Sequence, residues 1–200
     1  MSDLGPFHNR PEEWALYQPL VGTSMLELGN KKNGTFIYKP FFVGLGYRHV
    51  SIDTNGEDGA LRRNLMEPLG LGTFDMVSNI GTSEHVSEGV HWGQVECWRN
   101  ICEAMHVGSV LVSTTPKPGA WRHHGVWYPQ MEFFTELAEL NGLEVERLFV
   151  DDTAMLRGIY ADREMVFARL RRVAEVPFAM PTGGMYRNQR MTGLDRRLGT

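Results

Sequence analysis

Apolar and polar positions along this chain follow two rhythms. Short apolar runs of strand length recur at "SMLELG" (24–29), "HVSID" (49–53), "FDMVSNIG" (74–81) and "GSVLVST" (108–114). Between them lie segments with helical spacing. "WGQVECWRNICEAM" (92–105) sets Val95, Trp98, Ile101 and Cys102 on one stripe, and "PQMEFFTELAELNG" (129–142) is a helix bounded by proline and Asn-Gly. "KPFFVGLG" (39–46) reads as a helix end stopped by glycine, and "RPEEWALYQPL" (10–20) as a short lead-in helix. "LEVERLFVD" (143–151) and "EMVFARLRRV" (164–173) are two further strands with a short connection, which predicts antiparallel pairing at one sheet edge.

Strands separated by helices of this length imply βαβ units, right-handed crossovers and a mostly parallel sheet. The periodic pattern fades near residue 173. It predicts one α/β domain over residues 1–173 and an extended basic arm over 174–200, rich in turn residues.

Charge sharpens this division. Residues 157–200 carry nine arginines and four acids, while residues 1–156 carry 11 lysines and arginines against 20 acids. The acidic body argues against a surface that tracks nucleic-acid phosphates, so nucleic acid is not the expected partner. Apolar residues in the arm, among them Phe178, Met180, Met185 and Tyr186, suit either docking onto a neighbouring copy, as in a homo-oligomer, or folding over the crevice at the strand ends. There is no signal-peptide pattern and no apolar run of membrane-spanning length. With only Cys97 and Cys102, the expectation is a reduced, cytoplasmic protein away from membranes.

The candidate chemistry lies at the strand ends, where parallel sheets bind ligands. The first strand ends in Glu27-Leu28-Gly29 and the second in Asp53, 24 positions after Gly29. An acid at about that offset accepts hydrogen bonds from ribose hydroxyls. The turn between them, "GNKKNG", lacks the glycines that cradle a pyrophosphate, which argues against a nicotinamide dinucleotide. A cofactor with sulfonium, amino and carboxylate groups, S-adenosyl-L-methionine, matches this layout better, with Glu27 holding the ammonium. Lys31 or Lys32 is a candidate for its carboxylate.

The succession "LELG", "SID" and "FDMVSNIGTSEHV", followed by "VGSVLVSTTP" and "YPQMEFFTELAELNGLEVERL", resembles class I S-adenosylmethionine-dependent methyltransferases over roughly residues 20–172. The resemblance implies a Rossmann-like three-layer sandwich with a mostly parallel seven-stranded sheet, its last strand antiparallel. It also implies a methyltransferase that transfers a methyl group to oxygen or nitrogen of a small-molecule or saccharide acceptor. Carried over residue by residue, it places Glu27, Gly29 and Asn30 near the methionine moiety and Asp53 on the ribose. Asn64 falls near the adenine, with Asp58 competing, and Asn79, Ile80 and Gly81 form the floor. His85, with Glu84 beside it, is the expected catalytic base. His123, His124, Trp127 and Tyr128 form the expected acceptor-binding patch. The histidines lack the helix-spaced pairs typical of metal sites, so no metal is expected. The alternative reading is a non-catalytic protein of this fold, used for binding or assembly, in which the altered first motif has lost cofactor.

Overall fold

Every residue of the run Ser24–Leu28 is buried, as a central strand covered on both faces requires. It is β1 in the computed structural model, which describes residues 5–7, 11–33, 36–86, 91–118, 124–151 and 164–187. In chain order the strands are β1 (Ser24–Leu28), β2 (Lys32–Asn33), β3 (Phe36–Ile37), β4 (Arg48–Asp53), β5 (Leu61–Arg62), β6 (Phe74–Ile80), β7 (Met105–Pro116), β8 (Trp127–Pro129), β9 (Leu143–Asp151), β10 (Met165–Arg172) and β11 (Met185–Arg187). The helices are α1 (Pro11–Tyr17), α2 (Tyr38–Gly44), α3 (His91–Glu103) and α4 (Met131–Leu140). Each long predicted segment is present with the expected type.

Seven strands form one sheet in the order β5-β4-β1-β6-β7-β10-β9. Strands β5, β4, β1, β6 and β7 pair in parallel, and β10 runs antiparallel to both neighbours. The expected antiparallel pair is therefore present, with β9 at the edge and β10 one place inside it. Chain order reverses between β1 and β6: β4 lies on one side of β1, β6 on the other. A crevice opens at such a switch point.

Side chains of successive strand residues go to opposite faces. Leu26, Leu28, Val77 and Leu111 join Trp98, Phe133 and Phe134 from α3 and α4 in one core. Met25, Met76, Val110 and Val112 join Tyr17, Tyr38 and Phe42 from α1 and α2 in the other. The three-layer sandwich follows from this division. Lead-in helix α1 is fastened by Arg169, which is almost fully buried in β10. Its guanidinium donates to Leu16 O at 2.6 Å, Pro19 O at 3.0 Å and Glu146 Oε2 at 2.5 Å.

The segment after residue 173 packs on the domain as far as it is described. Asn141 holds both the carbonyl and the amide of Ala179, Glu136 accepts from Thr182 and Gly183, and β11 pairs with β8. Phe178 and Met180 rest on the core. The extended arm expected from the sequence is thus a fastened strap up to Arg187.

At the sheet end opposite the crevice, Asp75 ties β6 to β1. Its Oδ2 accepts from Thr23 N (2.9 Å), Ser24 N (2.8 Å) and Ser24 Oγ (2.7 Å), and His106 Nε2 lies 3.2 Å from Oδ1. Partial burial pushes this carboxyl up, but the hydrogen bonds outweigh it and bring its pKa from the usual 3.8 down to about 2. A depressed carboxyl stabilises the fold above its unfolded value and loses that contribution as pH falls from about 4 through about 2. Asp75→Asn is expected to cost about 2 kcal/mol at pH 7 and much less at pH 2.5. Urea melts of both proteins at the two pH values check this.

Candidate active site

The strand tips surround a crevice of about 470 Å³. Gly29 comes from the end of β1, Ile52, Asp53 and Thr54 from β4, Arg63 to Met66 from the segment after β5, and Gly81, Thr82, His85 and Val86 from beyond β6. Four positions singled out for cofactor, Gly29, Asp53, Asn64 and Gly81, line it together, and His85 lines it as well.

Gly29 has φ +84°, and a Cβ there would stand 2.2 Å from Thr82 Oγ1. No other residue type fits that position without displacing the neighbouring strand tip. Thr82 Oγ1 donates to Leu28 O at 2.8 Å, so the tips of β1 and β6 are joined side chain to backbone. The close neighbour that the strand-end glycine requires is therefore part of the protein itself.

Asp53 binds its own turn through one oxygen: Oδ1 accepts from Asn55 N at 3.1 Å and Thr54 Oγ1 at 3.4 Å. No hydrogen bond to Oδ2 occurs among the described residues. Asn64 forms the corresponding turn with Met66 N at 3.0 Å through Oδ1, which leaves its amide NH₂ for a ligand. Its rival Asp58 pairs with Lys32 and does not line the crevice.

Several predicted residues stand behind the crevice wall. Glu27 is buried, and its Oε1 accepts the backbone N–H of Lys31 at 2.5 Å. Its Oε2 lies 3.0 Å from His49 Nε2 without hydrogen-bond alignment. Glu27 thus shapes the turn after β1. Asn30, at φ +40°, donates from Nδ2 to Glu57 O at 3.1 Å and belongs to the same scaffold. Asn79 is fully buried and satisfied, bonding Ser83 and Ser113 across β6 and β7. Ile80 packs in the core.

The altered turn takes its own path. After Lys31 the chain enters the β2–β3 pair, and α2 begins only at Tyr38. Lys32 is engaged with Asp58, whereas Lys31 Nζ comes to 3.0 Å from where a Cβ on Gly81 would lie.

On the far wall, a 3-10 turn at Ser83–His85 carries Glu84 inward and His85 outward. Glu84 is fully buried, and neither carboxylate oxygen has a hydrogen-bond partner among the described residues. His85 Nε2 lies 3.9 Å and His124 Nε2 3.5 Å from Glu84 Oε1, with the imidazole rings edge to face at 4.6 Å. His124 therefore joins the predicted Glu84–His85 pair. Trp127 and Tyr128 are buried rather than open for stacking, and the Tyr128 hydroxyl donates to the His124 carbonyl. His123 lies outside the described residues.

Sequence reasoning missed Gln94. Fully buried on α3, its amide donates to Ser83 O and Val86 O, both at 2.8 Å, while its oxygen accepts from Trp98 Nε1 at 3.2 Å. It brackets the turn that carries Glu84 and His85. Its only sequence signal was a polar residue on the apolar stripe of a helix.

Sheet order and crevice position define the fold: a Rossmann-like three-layer sandwich with the seven-stranded sheet order found in class I S-adenosylmethionine-dependent methyltransferases. No protein-family model and no curated protein matches the sequence. Solved structures do match. The N-methyltransferase NodS from Bradyrhizobium japonicum, in complex with S-adenosylhomocysteine, is 16% identical with TM-score 0.62, over 85% of this chain and 89% of that one. The 1,6-didemethyltoxoflavin-N1-methyltransferase from Burkholderia thailandensis, with 1,6-didemethyltoxoflavin and S-adenosylhomocysteine bound, is 14% identical with TM-score 0.60, over 82% and 78%. An O-methyltransferase from a trans-AT PKS multienzyme of Brevibacillus brevis is 10% identical with TM-score 0.53, over 85% and 80%. At these identities the likeness defines the fold.

Among the described residues, no helix is long and apolar enough to cross a membrane.

Gly29→Ala must force a left-handed alanine against Thr82, and the expected cost is about 2–4 kcal/mol. The double variant Gly29→Ala/Thr82→Ala removes the oxygen it meets and should recover part of that loss. Denaturation of wild type, both single variants and the double variant measures the coupling; simple additivity would contradict the assigned contact.

Proposed function

We propose that the protein is an S-adenosyl-L-methionine-dependent methyltransferase acting on oxygen or nitrogen of a small-molecule or saccharide acceptor. The crevice at the switch point carries this reading, with Asp53 on one wall and the Glu84–His85–His124 group adjoining the other. The ligands bound in the structures of similar fold point the same way.

The residues suit this cofactor better than a dinucleotide. Asp53 Oδ2 is placed for a ribose hydroxyl, and a carboxylate accepts such bonds with charge assistance. Gly81, at φ +63°, keeps the floor low, and the Lys31 ammonium nearby suits a carboxylate. By contrast, the turn after β1 offers no glycine cradle for a pyrophosphate, and α2 is too short and too late in the chain to supply one.

When bound, the cofactor supplies an activated methyl group; the chain must align the acceptor behind it and manage the acceptor's proton. His85 lines the crevice and Glu84 lies directly behind it, so the proton is handled on that wall. Acceptor choice then falls to the segments around His123 and His124, with Trp127 and Tyr128 as their buried support.

Calorimetric titration with S-adenosylmethionine and S-adenosylhomocysteine tests this reading. Wild type should bind both, and Asp53→Ala should bind roughly tenfold or more weakly while keeping its melting temperature. Absence of binding by folded wild-type protein would defeat the proposal and favour a binding or assembly role for the fold.

A further inference from the structure

We propose that Glu84, His85 and His124 hold a divalent transition-metal ion at the edge of the crevice. The three side chains bring a carboxylate oxygen and two imidazole nitrogens within 4.8 Å of one another.

The buried carboxylate is the first argument. Glu84 is fully enclosed, and among the described residues both its oxygens lack hydrogen-bond partners. A buried carboxylate persists when it is paired, hydrogen-bonded or coordinated to a metal. The imidazole nitrogens, at 3.9 and 3.5 Å, are within ion-pair distance of it but make no hydrogen bond to it. Those separations do suit donors that share one ion, which stand about 3 to 4 Å apart when each bond is about 2.1 Å. The nearby ammonium of Lys31 makes no ion pair with Glu84.

Rigid placement is the second argument. Gln94 fixes the Ser83–His85 turn from below. Gly125, at φ +64°, lets the following strand pass so close that a Cβ there would meet Glu84 Cγ at 2.7 Å. Val126 N donates to Glu84 O at 2.7 Å, which anchors the chain next to His124. Donors brought together from two distant segments are thus held in place by backbone that does not depend on an ion.

The donor set narrows the choice of metal. Two imidazoles and one carboxylate suit manganese, iron, cobalt or zinc; magnesium and calcium favour all-oxygen sites. Three protein ligands leave positions open, as in catalytic rather than structural sites. His85 lines the crevice, and a Cβ on Gly81 would lie 3.4 Å from Glu84 Oε1, so the open side borders the proposed acceptor space. There the ion would lower the pKa of a coordinated hydroxyl as a Lewis acid, with His85 serving as ligand. This catalytic use rests on the methyltransferase reading, whereas metal binding itself does not.

The test is titration of the untagged, chelator-treated full chain with Co²⁺, followed by visible absorption and calorimetry. One ion should bind per chain with a d–d spectrum, Zn²⁺ should displace it, and a hundredfold excess of Mg²⁺ should not. Glu84→Gln and His124→Ala should each weaken binding at least tenfold. Circular dichroism checks their folding, and should Glu84→Gln fail to fold, His124→Ala, altered at a part-exposed side chain, decides. No binding by folded wild type, or binding that neither substitution weakens, overturns the proposal. S-adenosylhomocysteine titration of the same preparation keeps the two readings separable. Binding of Co²⁺ alone would leave the metal site standing without the methyltransferase, and binding of S-adenosylhomocysteine alone would do the reverse.

Discussion

The hydroxyl of Thr82 occupies the space a side chain on Gly29 would need, and the geometry of the site depends on that exchange. Strands β1 and β6 are neighbours whose chain continuations part in opposite directions. Their tips would splay without a tie, because main-chain pairing ends there. The Thr82–Leu28 hydrogen bond supplies the tie, and only glycine admits it. Glu27 then holds the outgoing turn by its amide at Lys31, and Gln94 holds the turn beyond Thr82. Both walls of the crevice are thereby set from buried side chains before any ligand arrives.

What the sequence disclosed and what it hid follow the range of the forces involved. Long strands and helices announce themselves by local repetition, and β1, β4, β6, β7, α3 and α4 were all legible. Asp53 was legible because the length of one βα unit fixes its offset from Gly29. The two- and three-residue strands β5, β8 and β11 were not, since they are defined by pairing with distant partners rather than by pattern. Glu27, Asn79 and Gln94 share a further difficulty. A buried polar side chain that braces a loop and one that holds a ligand look the same in a sequence; what these three brace shows only in hydrogen bonds across 4 to 34 positions. The convergence of His124 on Glu84 belongs to the same class, 40 residues apart in the chain.

The turn after β1 shows how the strand tip is shaped without a glycine-rich continuation. An asparagine with positive φ stands next to Gly29, and a short hairpin fills the space before α2. The substitution exchanges backbone amides at a helix start for a lysine ammonium above Gly81. A mobile point charge suits a compact anion such as a carboxylate, whereas a fixed array of amides suits a phosphate. Loop chemistry and the absence of a pyrophosphate cradle are therefore two sides of one change.

The pairing of β11 with β8 has a consequence for the order of events during synthesis. Strands β1 to β7 can assemble once residue 116 has left the ribosome. The segment that carries His124 runs into β8, whose partner Met185–Arg187 emerges some sixty residues later, together with the strap along α4. The nascent domain thus acquires the Asp53 wall of its crevice early and the His124 side last. A chain interrupted between those points would present a formed half-crevice with an unpaired strand beside it, a species that chaperones and proteases are suited to detect.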